Sequence, residues 1–405
     1  MNEFKPILAT LGRHRLIAML MALLVALTCA IVCNVAFMIR QQIALTSLPS
    51  GVAENRLVKI ESTNLDRTAN QIAVHKFDLA VLRLIPGVES AAAVLSLPLD
   101  GGGWSSSVPP GQDAPGNVVA SLFNGTPGEV ATLGLDLVAG RDFRPDEYIP
   151  LGSAHGFDGL DHVPAAIVTR SLAERLFPGQ DPLGKAIWPG DGAVRIVGVV
   201  AHLLRPNVGA GSDNDYSVLL PMLPDTASIT YVLRTAPQNR TRVLKEAKAA
   251  LYRVDANRVL RDAMTFTELR ARYFRRQRSM IGLLVASALG LLLVAAFGIA
   301  GLASFWVQQR TRSIGIRRAL GARRHDILRY FQTENFLIVS MGVLLGVLLA
   351  IGLNLLLMAH YQQPRLPLWY LAVGAAALWL LGQLAVLAPA LRASHVPPVV
   401  ATRSV

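Results

Sequence analysis

Gln308-Gln309-Arg310-Thr311-Arg312-Ser313-Ile314-Gly315-Ile316-Arg317-Arg318-Ala319-Leu320-Gly321-Ala322-Arg323-Arg324 is a short basic stretch with a long apolar run on either side. Residues 313–320 favour helix, with Ile316, Ala319 and Leu320 at i, i+3 and i+4 on one face. Gly321 suits the left-handed position after a last turn. Asp326 stands near the start of a second helix, where the positive end of the macrodipole favours an anion, and Ile327, Leu328 and Phe331 continue its apolar face. The stretch therefore predicts a short helix between two membrane passes.

The flanking runs belong to a set of four. Residues 16–39, 280–307, 336–358 and 368–391 are each long enough for the roughly 20 helical residues that cross a bilayer. A chain that is 52% hydrophobic and 16% charged would need an implausibly large dry core if it were wholly soluble. The first run is longer than the roughly 7 to 15 residues of a signal-peptide core, so it reads as a retained anchor. The net charge of +12 is unevenly placed. Residues 308–329 hold seven Arg against Asp326, both terminal segments are basic, and residues 40–279 balance 26 Lys and Arg against 24 Asp and Glu. The positive-inside rule puts 1–15, 308–335 and 392–405 in the cytoplasm, and 40–279 and the 359–367 loop on the other side.

The 40–279 segment contains both cysteine-free chain and strong β patterning; Cys29 and Cys33 both lie in the first span, where they read as small residues at a helix contact. Residues 57–61 alternate as a strand, 77–85 read as a helix buried through Leu79, Leu82 and Ile85, and 91–95 as the next strand. Residues 100–116 are too rich in Gly, Pro and Ser for regular structure. Strands follow at 118–123, 137–143, 165–168, 194–200, 218–220 and 229–234, with helices at 127–133, from Ser171 (paired with Glu174 as a capping box) and at 241–252. This pattern predicts an α+β domain of two lobes, the second inserted at about 125–205. Residues 265–278 lack Gly and Pro and are predicted to run into the second span as one helical stalk carrying Arg270, Arg272, Arg275, Arg276 and Arg278, which also suits a collar on lipid headgroups.

Catalytic signatures are missing from the sequence. Residues 179–186 match a P-loop until Ala186, which lacks the hydroxyl that would hold magnesium, and Pro182 removes a backbone donor from the cradle. His155, Asp158, Asp161 and His162 cluster in a glycine-rich loop without a rigid scaffold, a weak metal signal. No metal, cofactor or catalytic residue is therefore assigned, and the chain is not expected to be an enzyme. The spans hold few polar residues, Thr28, Asn34, Ser287, Ser304, Ser340, Asn354 and Gln383, and their glycines read as helix contacts. The arginine cluster attracts anionic lipid. Nucleic acid is not expected to reach a loop held to the membrane at both ends, and the apolar face fits a groove on a cytoplasmic protein.

The run 309–322 resembles the coupling segment of the FtsX-like permeases of the macrolide-exporter (MacB) type, membrane subunits of ABC transporters. One span, a large domain and three further spans is that family's layout. Leu133-Gly134-Leu135, Ala139-Gly140-Arg141-Asp142-Phe143, Leu176-Phe177-Pro178-Gly179, Asp181-Pro182-Leu183-Gly184-Lys185 and Val197-Gly198-Val199-Val200 resemble its periplasmic signatures.

The resemblance implies an α-helical membrane protein with four transmembrane helices plus a large α+β periplasmic domain of two lobes, porter-like and inserted, between the first two spans. It implies a multi-pass protein of the bacterial inner membrane that exports antibiotics, peptides or other amphiphiles, or releases lipoproteins, or switches a hydrolase or sensor as a non-transporting scaffold. ATP and Mg2+ would act in a separate cytoplasmic ABC ATPase dimer, docked on Arg310, Arg312, Ile314, Gly315, Ile316, Arg317, Arg318, Ala319, Leu320, Gly321, Ala322 and Arg323. A second permease, as homodimer or heterodimer, and a periplasmic adaptor with an outer-membrane channel complete the implied assembly. Gln309 and Ser313 stand where the family commonly has Glu, which points to weaker coupling here and to a heterodimer.

Overall fold

Backbone amides find no water in hydrocarbon, so an apolar run that crosses it forms a helix. The computed structural model describes residues 15–66, 68–109, 111, 118–154, 160, 162–190, 192–209, 211–319, 321, 323–361 and 366–394. The first run forms α1, Arg15–Thr46, which passes the expected end at residue 39 because Arg40, Gln41 and Gln42 do not break a helix. The described residues separate into two compact units, Leu45–Arg276 and a helical unit made from the chain on either side of it.

The large unit begins with β1 (Leu57–Thr63), α2 (Gln71–Arg83) and β2 (Val88–Val94). Next come β3 (Trp104–Ser107), β4 (Val119–Asn124), α3 (Glu129–Leu133), β5 (Leu137–Gly140) and β6 (Ile149–Pro150). They are followed by β7 (Ala165–Thr169), α4 (Arg170–Leu176), β8 (Ala186–Ile187), β9 (Val194–Val200), β10 (Ser217–Leu220) and β11 (Met222–Leu223). The unit closes with β12 (Ser228–Thr235), α5 (Arg240–Val254), β13 (Val259–Thr265) and α6 (Phe266–Tyr273).

One sheet runs β13-β1-β12-β2 with antiparallel neighbours, so β1 and β2 are parallel with β12 between them, a split βαβ arrangement. The other runs β3-β4-β10-β7-β9-β5 and is inserted between β2 and β12. Each sheet has an apolar cluster of its own on one face, and a third cluster is shared between them. Ala92, Val94 and Val232 of the first sheet share one apolar cluster with Phe123, Ile167 and Leu219 of the second. The insertion also begins and ends outside the expected 125–205, because β3, β4 and β10 belong to its sheet. Trp104–Ser107, expected to be loop, pairs along β4.

α2 and α5 cover the first sheet through Leu79, Leu82, Val243, Ala247 and Leu251. Asn70 caps α2 by accepting from the Ala73 amide at 3.2 Å. A polar knot sits beneath. Arg258 donates to both Asp78 oxygens at 2.7 and 3.0 Å, Tyr231 donates to Asp78 at 2.5 Å, and the His75 ring lies 3.1 Å from the Tyr231 hydroxyl. Asp78 and Arg258 are buried, which a charge pair tolerates when the two charges meet through well-formed hydrogen bonds; Arg258 Nε alone of that guanidinium has no partner among the described residues. Burial pushes His75 below its ordinary pKa. The expected cap at Ser171 is not formed: Thr169 stands at the helix start and the Ser171 hydroxyl donates to the Asp215 carbonyl at 2.7 Å instead.

The expected continuous stalk is broken. α6 starts at a Thr265 and Glu268 capping box and stops at Phe274, and a new helix, α7 (Arg275–Gln309), begins beyond it. The physical reason is Phe274 itself, which is buried in the shared cluster with Phe266 and Leu269 and turns the chain to get there. Then come α8 (Thr311–Ala319), α9 (Arg324–Tyr361) and α10 (Leu368–Ser394). α1, α7, α9 and α10 are each long and apolar enough to cross a membrane.

Glu129 is an outlier in this interior. Its carboxyl is 3% exposed, Oε1 has no hydrogen-bond partner among the described residues, and burial together with the Asp142 charge pushes its pKa from 4.5 up to about 8. A pKa raised on folding means the folded chain holds a proton that the unfolded chain releases. Stability from this group is complete below pH 4.5 and is lost as pH rises toward about 8, at roughly 1.4 kcal/mol per unit. Glu129→Gln is expected to remove that slope. Unfolding of both chains at about pH 5 and about pH 8 checks it; an unchanged difference between them at the two pH values would show that the carboxyl finds a partner.

Candidate coupling site

The basic stretch folds as a corner, a short helix and a cap. Arg310 is the residue between α7 and α8; its amide bonds the Val307 carbonyl at 3.1 Å and its own carbonyl accepts from Ile314 at 2.9 Å. Hydrogen bonding thus continues through the corner. Thr311 adds a hydroxyl bond to the Gln308 carbonyl at 2.9 Å. α8 ends before Gly321, whose φ of +101° is the left-handed conformation that glycine adopts without a Cβ penalty. Asp326 then accepts from the Arg323 amide at 3.0 Å and caps α9.

α8 turns its residues to different surroundings. Ile314 is buried with Trp306, Val307, Ile327, Phe331 and Ile338, and Gly315 is buried beside it. Ile316 and Ala319 are exposed, as are Gly321 and Arg323. So the expected apolar face is solvent-side at Ile316 and Ala319, while Ile314 anchors the helix. Arg312, Arg317 and Arg318 lie on α8, and Leu320 and Ala322 fall outside the described residues.

Arg310 points inward. One guanidinium nitrogen donates to both oxygens of Glu334 at 3.1 and 3.2 Å, and the group lies 4.9 Å from the centre of the Trp306 ring. The side chains are 12% and 4% exposed. Glu334 escaped the sequence reading because it sits just before the apolar run at 336. Its signal was a carboxylate two residues before a span, opposite the first arginine after the preceding span.

The bundle beneath α8 is held by close backbone approach and buried amides. A Cβ at Gly342 would come within 2.7 Å of the Ala22 carbonyl, and one at Gly346 within 2.5 Å of the Cys29 Cβ. A Cβ at Gly374 would lie 2.4 Å from the Cys33 sulfur. α9 and α10 therefore pack on α1 where Cys29 and Cys33 line it. By contrast a Cβ at Gly282, Gly290, Gly301 or Gly352 would meet nothing within 4 Å among the described residues. Asn34 reaches the Ala350 carbonyl at 3.2 Å, and Asn335 the Gly382 carbonyl at 3.0 Å.

The stalk arginines divide into two groups. Arg270 pairs with Glu54 at 2.6 Å and donates to the Thr46 and Leu48 carbonyls at 2.8 and 2.7 Å. Arg272 forks onto Asp262 at 2.7 and 2.6 Å. Arg275, Arg276 and Arg278 are exposed. The P-loop-like segment is a turn from α4 to β8, in which Lys185 lies 4.7 Å from the centre of the Phe177 ring. Of the loop cluster considered for a metal, His155, Asp158 and Asp161 lie outside the described residues.

Residues 20–252 match the MacB-like periplasmic core domain and residues 285–398 the FtsX-like permease C-terminal domain, the first covering more than half of the chain. The chain belongs to the MacB-type, FtsX-like permease family. Among relatives, the macrolide export ATP-binding/permease protein MacB of Bradyrhizobium diazoefficiens is 30% identical over 230 residues, 54% of this chain and 34% of that protein. The MacB of Marinobacter nauticus is 27% identical over 264 residues, 61% of this chain and 39% of that protein. The uncharacterized ABC transporter permease YknZ of Bacillus subtilis is 26% identical over 281 residues, 66% of each chain. This MacB-type permease thus spans between a third and two fifths of the length of the MacB relatives named.

Gly346→Leu is expected to force α1 and α9 of the permease apart, with loss of monodisperse protein in detergent, whereas Gly352→Ala, at an open position, leaves it intact. Size-exclusion profiles of the two variants test this, and a native profile for Gly346→Leu would remove the close contact.

Proposed function

We propose that this chain is the membrane permease subunit of an ABC-type export system and works by transmitting force rather than by lining a path. α8 would be the docking helix for a separate cytoplasmic ATPase dimer. The observation that carries this reading is a short basic helix anchored through Ile314 while Ile316 and Ala319 remain exposed. Lipid attraction would need only the charge; a partner's groove also uses the apolar residues.

In this reading both termini and α8 lie in the cytoplasm of a bacterium, and the large unit lies in the periplasm, in keeping with the arginine excess at 308–329. ATP binding and hydrolysis in the partner would move α8, α7 would carry the movement, and the two sheets of the large unit would change shape as a porter-like part and an inserted part. Few polar side chains lie in the four helices, which suits force transmission better than a polar channel. Two ATPase subunits call for two docking helices, hence a second permease, identical or related. A periplasmic adaptor and an outer-membrane channel complete the route, and antibiotics, peptides or other amphiphiles are the cargo class.

Mild-detergent purification from the native membrane, with mass-spectrometric identification of what accompanies the chain, tests the assembly. Recovery of an ATPase and a second permease supports it; recovery of the chain with no ATPase overturns the docking role of α8. Replacing Arg317 and Arg318 by Glu is expected to abolish stimulation of that ATPase while membrane insertion stays intact, since the reversed charges repel an acidic docking surface. Stimulation at the native level would be incompatible with docking through these residues.

A further inference from the structure

Sequence pattern groups Arg310 with the other arginines of the docking segment, but its guanidinium is enclosed. Trp306, one turn earlier on α7, covers one face, and Glu334 accepts two hydrogen bonds from it. Glu334 is about three turns into α9, next to Asn335, whose amide is bonded to the Gly382 carbonyl of α10. Ile314, one turn on from Arg310, is buried in the same cluster as Trp306, Phe331 and Ile338. Four helices of the bundle therefore meet around one ion pair.

A carboxylate in an apolar helix bundle is costly unless a cation and donors accompany it, and the same holds for a guanidinium. The pair is thus a strong restraint on position. Arg310 is the linking residue between α7 and α8, with its amide and carbonyl both engaged. The corner cannot swing away from α9 without separating two charges that the packing around them largely shields from water.

The geometry points to Glu334 as a positioning residue for the docking segment: acting through Arg310, it bolts the α7–α8 corner to α9, so that α8 moves as a rigid lever with the bundle instead of hinging freely. This rests on reading α8 as the docking helix, but the bolt itself is a property of the chain alone. It takes Arg310 out of the set of residues that touch the partner. Arg310 instead sets the angle at which the exposed residues of α8 are presented.

The test uses nitroxide labels on Ala319→Cys in α8 and Arg329→Cys in α9, both exposed sites, in the full chain in lipid nanodiscs without ATPase. Cys29 and Cys33 are buried and do not compete for the reagent. The native pair is expected to give a single narrow distance distribution by pulsed electron spin resonance. Glu334→Gln should lose that narrow peak, and the charge exchange Arg310→Glu with Glu334→Arg should restore it. A native distribution in Glu334→Gln would overturn the proposal, and so would a broad one that the exchange fails to narrow, since size and burial would then matter and the pair would not. Where Glu334→Gln does not accumulate, the exchange decides: a narrow peak supports the bolt, and a broad peak or no accumulation overturns it. Because no ATPase takes part, failure here leaves the transport reading standing, and failure to recover an ATPase leaves the bolt standing.

Discussion

A polar group buried in a bundle of apolar helices has no water to return to, so leaving it unmatched is costly. Arg310 and Glu334 answer each other, Asn335 is answered by the Gly382 carbonyl, and Asn34 by the Ala350 carbonyl. In each case the partner is on a different helix or beyond a helix end. The cost of leaving any of them unmatched is what fixes the relative positions of helices whose apolar surfaces would slide past one another with little penalty.

Close approach supplies the second restraint. Hydrocarbon solvates a leucine as well as another leucine does, so apolar contact alone holds helices weakly, and contact improves only where backbones come near enough for dispersion to accumulate. Gly342 and Gly346 on α9 and Gly374 on α10 provide that approach against α1, where Ala22, Ala26, Cys29 and Cys33 are small enough to receive it. A Cβ at Gly282, Gly290, Gly301 or Gly352 would meet nothing within 4 Å among the described residues.

The large unit obeys a different solvent. Its two sheets are joined by burying Val94, Val232, Phe123, Ile167 and Leu219 in one core, where the hydrophobic effect in water acts at full strength. The insertion between β2 and β12 is tolerated because those strands pair directly with each other in the sheet, whatever the length of the connection. Phe274 closes this core and in doing so sets the break between α6 and α7.

Periodicity by itself determined much of this protein. The four apolar runs, the buried stripe of α2, the strands at 165–168 and 194–200, and the short helix after Arg310 all follow from local spacing of apolar residues, since each element buries a face that its own sequence defines. Likeness in the basic stretch pointed to the family that residues 20–252 and 285–398 match. What only the tertiary structure decided has a common physical origin in pairing at a distance. β3 lies in a stretch of glycine, serine and proline and exists because β4 offers it a ladder, and β13 is a charged edge strand that β1 supports. The two sheets share a core although nothing local ties Phe123 to Val232. Arg310 turns inward because Glu334, far along the chain and close in space, offers a buried partner for its charge.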